Sequence, residues 1–246
     1  MKKNIYIVGG SGLIGFNLVK LLDSKKNNII VIDKINKFSE NKNIRFVNID
    51  IENIVLFEKK ILKIFKKYKP CSMVNCSYPK TSDWSKNDHE RVKYKSYQRN
   101  ISLHLNSYVW ITKIFLDEMV KTKTKDCSIV LLSSIYGFLG QNINLYKGQK
   151  IRENLTYSVI KGGIINAVRS FSSFYGKYQI RVNSVSPGGI IDKQDKKFIK
   201  KYSNLVPLKR MAYSSEICEV INFLISKKSS YITGQNIVVD GGFSII

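Results

Sequence analysis

The run Ile5-Tyr-Ile-Val8 leads directly into Gly9-Gly-Ser-Gly-Leu-Ile-Gly15. A short, continuous apolar segment that stops at glycines reads as a strand buried on both faces. The apolar periodicity that follows, to about Asp23, reads as a helix. Strand, glycine turn and helix in that order form a phosphate-binding turn. Gly10, Gly12 and Gly15 satisfy G-x-G-x-x-G, which permits a tight turn and lets a pyrophosphate approach the backbone at the helix start. Gly9, Ser11, Gly12, Leu13, Ile14 and Gly15 are the expected contacts. Asp33 ends the next apolar run, about twenty residues on, where a carboxylate accepts hydrogen bonds from a ribose and repels a 2′-phosphate. NAD is therefore expected over NADP, with Lys34 tempering the preference.

Outward from this turn, apolar β-rich runs alternate with helical patterns. Strands are expected at Ile29–Ile32, Ile44–Val47, around Met73-Val74, and at Ser128–Leu132, Ile180–Val185 and Asn236–Val239. Helices are expected at about 54–67, 86–120, from Thr156, and at 214–225. The alternation predicts an α/β fold, a Rossmann-type doubly wound parallel sheet of about seven strands with helices on both faces. Residues 1–246 read as one dinucleotide-binding domain. The stretches 78–88, 136–155 and 191–205 read as irregular. Each follows a strand end, where ligands bind in such sheets.

Lys and Arg number 41 against 18 Asp and Glu, a formal net charge of +23. The basic residues are scattered in pairs and triples, and abundant Lys, Asn and Ile suggest a coding bias rather than a nucleic-acid partner. Such a surface would still attract anionic substrates. The cysteines Cys71, Cys76, Cys127 and Cys218 form no C-x-x-C, and His89 and His104 cluster with none of them, so no metal is expected. Neither a signal peptide nor a membrane span is expected, which suggests a cytoplasmic protein.

Several ordered motifs resemble the short-chain dehydrogenase/reductase family over essentially the whole chain. Asp50-Ile51 resembles its adenine-contacting pair. Asn75-Cys76-Ser77-Tyr78 stands where the family has Asn-Asn-Ala-Gly. Ser133-Ser134-Ile-Tyr-Gly137 resembles the strand end that carries the catalytic serine, which falls on Ser134. Arg181 to Gly188 resembles the segment that cradles the nicotinamide, implying contacts from Pro187, Gly188 and Ile190. Tyr231 to Gly242 resembles the C-terminal strand. Leu13 and Val8 depart from the standard pattern, and Gly9, Gly12 and Gly15 match the spacing of the extended branch.

The resemblance also asks for a Tyr-x-x-x-Lys pair, which puts a phenol and an ammonium on one helix face, where the cation favours phenolate. Both Tyr146/Lys150 and Tyr157/Lys161 qualify. Tyr146 follows Ser134 by 12 residues, close to the family's spacing, but only Tyr157 leaves room for one helix and one strand before Pro187. Tyr157 and Lys161 are therefore the expected pair, with Tyr146/Lys150 as the alternative. In the implied mechanism Tyr157 exchanges the hydroxyl proton, Lys161 lowers its pKa and holds the nicotinamide ribose, and Ser134 binds the substrate oxygen. His104 falls where the family has a tetrad asparagine, with a shift to Asn106 as the other alignment.

Residues 138–155 then read as an insertion at the substrate mouth and 191–205 as a lid. Tyr146, Lys147, Lys150 and Arg152 become candidate contacts to a phosphorylated, nucleotide-linked or acidic sugar. The insertion, His104, Asn75 to Pro79 and Ser186 to Ile190 are similar to oxidoreductases of bacterial flagellin-modification and acidic-sugar loci. Alternatives are a 3-oxoacyl-carrier-protein-type reductase and a non-catalytic NAD-sensing or nucleic-acid-binding module. The family resemblance implies a homo-oligomer, a dimer or tetramer.

Overall fold

The computed structural model describes residues 3–23, 27–149 and 151–246. The strands are β1 (Asn4–Val8), β2 (Asn28–Asp33), β3 (Ile44–Asn48), β4 (Ser72–Asn75), β5 (Ser128–Leu132), β6 (Arg181–Pro187) and β7 (Asn236–Val239). They form one parallel sheet in the order β3-β2-β1-β4-β5-β6-β7. This is the Rossmann-type α/β fold expected.

The helices are α1 (Leu13–Asp23), α2 (Ile54–Phe65), α3 (Tyr94–Asn100), α4 (Ser107–Lys121), α5 (Ile143–Tyr146), α6 (Leu155–Tyr175), α7 (Lys196–Asn204) and α8 (Ser214–Ile225). Alternate strand residues serve opposite faces. Ile5, Ile7, Val74 and Val130 pack with α1 and α8. Tyr6, Met73, Ile129 and Val182 pack with α2, α4 and α6. Both faces being covered explains why β1 is apolar without alternation.

The chain winds from β1 outward to β3, then returns to place β4 against the other edge of β1. The connections on either side of β1 diverge there, opening a crevice at the carboxyl ends. Val8 pairs with Asn75 at its floor, and Gly9 N donates to Ile32 O at 2.9 Å.

The helical pattern expected from residue 86 begins at Tyr94 instead. Asn87 and Asp88 are fully buried and tie the preceding loop down by side-chain bonds, Asn87 to Ser96 and Thr156, Asp88 to Arg91, which compete with a helical backbone. Two helices also occupy stretches read as irregular. α7 is capped by Asp195, whose side chain accepts from Lys197 N at 2.7 Å, and buries Phe198 and Tyr202 four residues apart. α5 is capped likewise by Asn142. Leu145, Phe198, Tyr202, Val206 and Met211 make a small separate core that joins the stretch 138–155 to α7 and the chain after it.

Candidate active site

The glycine turn is shaped by contacts that exclude side chains. Gly9 has φ +76°, and a Cβ there would lie 2.5 Å from Ser77 N. A Cβ on Gly15 would lie 2.3 Å from Gly9 O, so α1 can approach the turn only with glycine here. Asp33 locks the turn to β2: its Oδ2 accepts from Ser11 N at 2.9 Å and its Oδ1 from Lys34 N at 2.7 Å. Carboxylate oxygens keep further lone pairs for a ribose. Lys34 Nζ lies 2.9 Å from both Asp50 and Glu52, so its charge is already paired.

A cleft of about 720 Å³ runs from this turn to the ends of β5 and β6. Of the expected contacts, Gly9, Ser11, Gly12, Leu13, Ile14, Asp33, Ile51, Cys76, Ser77, Ser134, Tyr157, Lys161, Pro187, Gly188 and Ile190 line it. Gly15, Asp50 and Asn75 stand outside it. Gly15 packs under the turn, and Asp50 turns to Lys34, leaving Ile51 and Glu52 on the cleft. Asn75 is fully buried, its Oδ1 accepting from Ser77 N and Oγ.

Ser134, Tyr157 and Lys161 converge at the far end. The first turn of α6 is held by Asn154, whose side chain accepts from Tyr157 N at 2.8 Å. Burial pushes the Tyr157 phenol above its ordinary range, and the nearby Ser134 hydroxyl only partly opposes the rise. The lowering expected from Lys161 does not outweigh burial. Lys161 Nζ instead donates to Leu132 O at 2.9 Å, and burial pulls its pKa down to about 7. The rings of Tyr108, Tyr157 and Tyr78 surround it at 5.5, 5.6 and 5.9 Å from the ammonium.

The crystal structure of a short-chain dehydrogenase from Leptospira borgpetersenii with bound NAD⁺ superposes with a TM-score of 0.90 at 28% identity, covering 99% of this chain and 93% of that one. A family model described as enoyl-(acyl carrier protein) reductase matches residues 31–244. Post-translational flagellin modification protein A of Campylobacter coli is 30% identical over 254 residues, 99% of this chain and 98% of the relative. The chain belongs to the short-chain dehydrogenase/reductase family. A 3-oxoacyl-[acyl-carrier-protein] reductase of Buchnera aphidicola is 28% identical over 258 residues, 100% of this chain and 98% of that protein. As a member of this family the protein is an NAD(P)-dependent oxidoreductase.

Against the family's pattern, the site shows two differences, His104 and Tyr78. His104 lies in a π-helical turn, Ile101–Asn106, that joins α3 to α4. It is fully buried, neither ring nitrogen has a partner among the described residues, and burial together with the Lys161 charge holds its pKa well below the ordinary value. It sits behind the cleft, against Tyr78 and Tyr108. Tyr78, where the family has glycine, makes edge contacts to Trp84, His104 and Tyr157 at 5.8, 5.3 and 6.0 Å.

Arg152, expected as a substrate contact, is bound to Glu90 at 2.9 Å and, beside Arg91, to the buried Asp88 at 3.3 Å. Lys147 is exposed, with its carbonyl accepting from Lys201 Nζ at 2.8 Å. Tyr146 is not among the residues lining the cleft and donates to the Tyr136 hydroxyl at 3.1 Å, while Lys150 lies outside the described residues. Tyr136, Trp84 and Tyr108 went unnoticed in the sequence. Isolated aromatics carry no spacing signal, although Tyr136 lies inside the Ser-Ser-Ile-Tyr-Gly motif. Among the described residues no group of His, Cys, Asp or Glu could hold a metal ion, and no helix is long and apolar enough to cross a membrane.

Proposed function

We propose that the protein transfers hydride between NAD and a secondary alcohol or ketone of a sugar derivative, in flagellin or surface-glycan synthesis. The observation that carries the chemistry is the Ser134–Tyr157–Lys161 cluster at the cleft's far end. The glycine turn fits a dinucleotide, since its backbone is bare where Cβ atoms would intrude. A bound nicotinamide would supply or accept the hydride. Tyr157 then exchanges the proton of the substrate oxygen, and Ser134 holds that oxygen. Because burial keeps the phenol protonated at rest, Tyr157 is set to donate, as ketone reduction requires. Lys161, its ammonium largely unpaired, would hold the nicotinamide ribose. His104, its pKa held well below the ordinary value by burial and the Lys161 charge, would stay neutral rather than titrate beside this lysine.

Asp33 and the paired Lys34 favour NAD. The Campylobacter relative and the phenols around Tyr157 favour a sugar. The Buchnera relative and the basic surface favour the second reading, a carrier-bound 3-oxoacyl substrate. Turnover of D-glucose, D-glucose 6-phosphate, UDP-glucose, D-arabinitol and acetoacetyl-CoA, with NADH and NADPH affinities alongside, separates them. The first reading expects sugar turnover and tighter NADH. Preference for acetoacetyl-CoA, or for NADPH, would contradict the corresponding part of it.

A further inference from the structure

Tyr136 is fixed to the reacting groups. It sits in a tight 3₁₀ turn, Ile135–Gly137, and its N–H donates to Ser134 Oγ at 3.2 Å. A Cβ on Gly137 would meet the Lys161 carbonyl at 2.8 Å, so the turn is pressed against α6. The ring is half-buried, and its phenol is close enough to Tyr157 to raise that group's pKa.

The hydroxyl of Tyr136 accepts from Tyr146 at 3.1 Å. Its own O–H has no acceptor among the described residues. A phenol that already accepts one hydrogen bond is a stronger donor of its own. Tyr146 is held in turn by the small core under the insertion, packing against Phe198 with ring centroids 6.1 Å apart. Lys201 braces the same segment through the carbonyls of Asn144 and Lys147. Two separate pieces of chain thus bring two hydroxyls together on the turn that follows Ser134. Trp84, edge-on to Tyr157 at 6.3 Å, adds an aromatic ring nearby.

We infer that Tyr136 donates a hydrogen bond to a second hydroxyl of the substrate, adjacent to the carbon that Tyr157 serves, and that Tyr146 positions it. The site then selects vicinal diols, as in sugars and polyols, over plain alcohols and acyl ketones. The inference rests on the oxidoreductase reading above. A site with a donor waiting for a substrate hydroxyl disfavours the analogue that lacks it, because the donor is left unpaired.

The test compares cyclohexane-1,2-diol with cyclohexanol, each with NAD, in wild type, Tyr136→Phe, Tyr146→Phe and the double variant. The wild type should favour the diol in kcat/KM by about tenfold or more, and Tyr136→Phe should remove most of that ratio. Tyr146→Phe should remove part of it, and the double variant should be no worse than Tyr136→Phe, since the two hydroxyls act as one unit. NADH affinity within about threefold of wild type shows that each variant is folded. A general structural role would lower both substrates and leave the ratio alone. A wild type without preference, or a ratio unmoved by Tyr136→Phe, overturns the inference alone. A wild type that turns over a sugar above but neither cyclic probe also overturns the inference alone, whereas one that binds NADH but turns over none of these substrates overturns the sugar reading and the inference with it.

Discussion

Lys161 holds an ammonium in an interior that offers it one carbonyl and three aromatic rings. Burial favours its neutral form, so its folded pKa of about 7 lies below the ordinary 10.5. Between these values the unfolded chain binds the extra proton, and stability rises with pH. The destabilisation is therefore complete below about pH 7 and is relieved as pH climbs from 7 towards 10.5. Lys161→Met should raise Tm by roughly 2–8 °C at pH 6, less the cost of an unpaired Leu132 carbonyl, and by little at pH 10. Thermal melts at the two pH values check this, and an unchanged or lower Tm at pH 6 would contradict it. Under the proposed function, the residue serves the site at the expense of stability. The choice of Tyr157 and Lys161 rested on the distance to Pro187, and the structure places both on the cleft with Ser134. Tyr78 and Tyr136 were not, since one aromatic in a loop has neither period nor partner until the chain is folded.

Among elements, the turn between β1 and α1 is the most constrained. Gly15 supports it from below, without touching the cleft. Gly15→Ala would force its methyl into Gly9 O, tilting α1 away and disordering the N–H groups that face phosphate. NADH affinity should fall by more than tenfold, measured by fluorescence titration, and an affinity within twofold of wild type would show the contact to be soft. This element, the sheet and most helix boundaries were legible because their patterns are local. The short helices α5 and α7 were hidden. α7 is mainly lysine and polar residues and buries only Phe198 and Tyr202, too few for a periodicity to stand out. The π-helical turn was hidden for another reason: nothing in the residues 101–106 marks an extra residue per turn, yet that turn carries His104.

At the scale of the molecule, the reversal of strand order beside β1 makes the cleft, and two remote segments meet on it. The turn after β1 lies at one end and α6 brings Tyr157 and Lys161 to the other, while the stretches 138–155 and 191–205 share a core of their own. The sequence reading assigned the importance of residues 138–155 to their charge. Arg152 is bound to Asp88 and Glu90, and the Tyr146 hydroxyl of this stretch is bound to Tyr136. Long-range pairing of this kind depends on which acid lies nearest in space, which spacing cannot show. The central claim remains proton exchange by Tyr157 at the end of a dinucleotide cleft. Tyr157→Phe tests it most directly, by kcat on whichever probe the wild type turns over fastest, with NADH affinity measured on the same sample. The account expects kcat to fall by about 10²–10⁴-fold while NADH affinity stays within about threefold. Near-normal turnover in this variant, with NADH still bound, would contradict it.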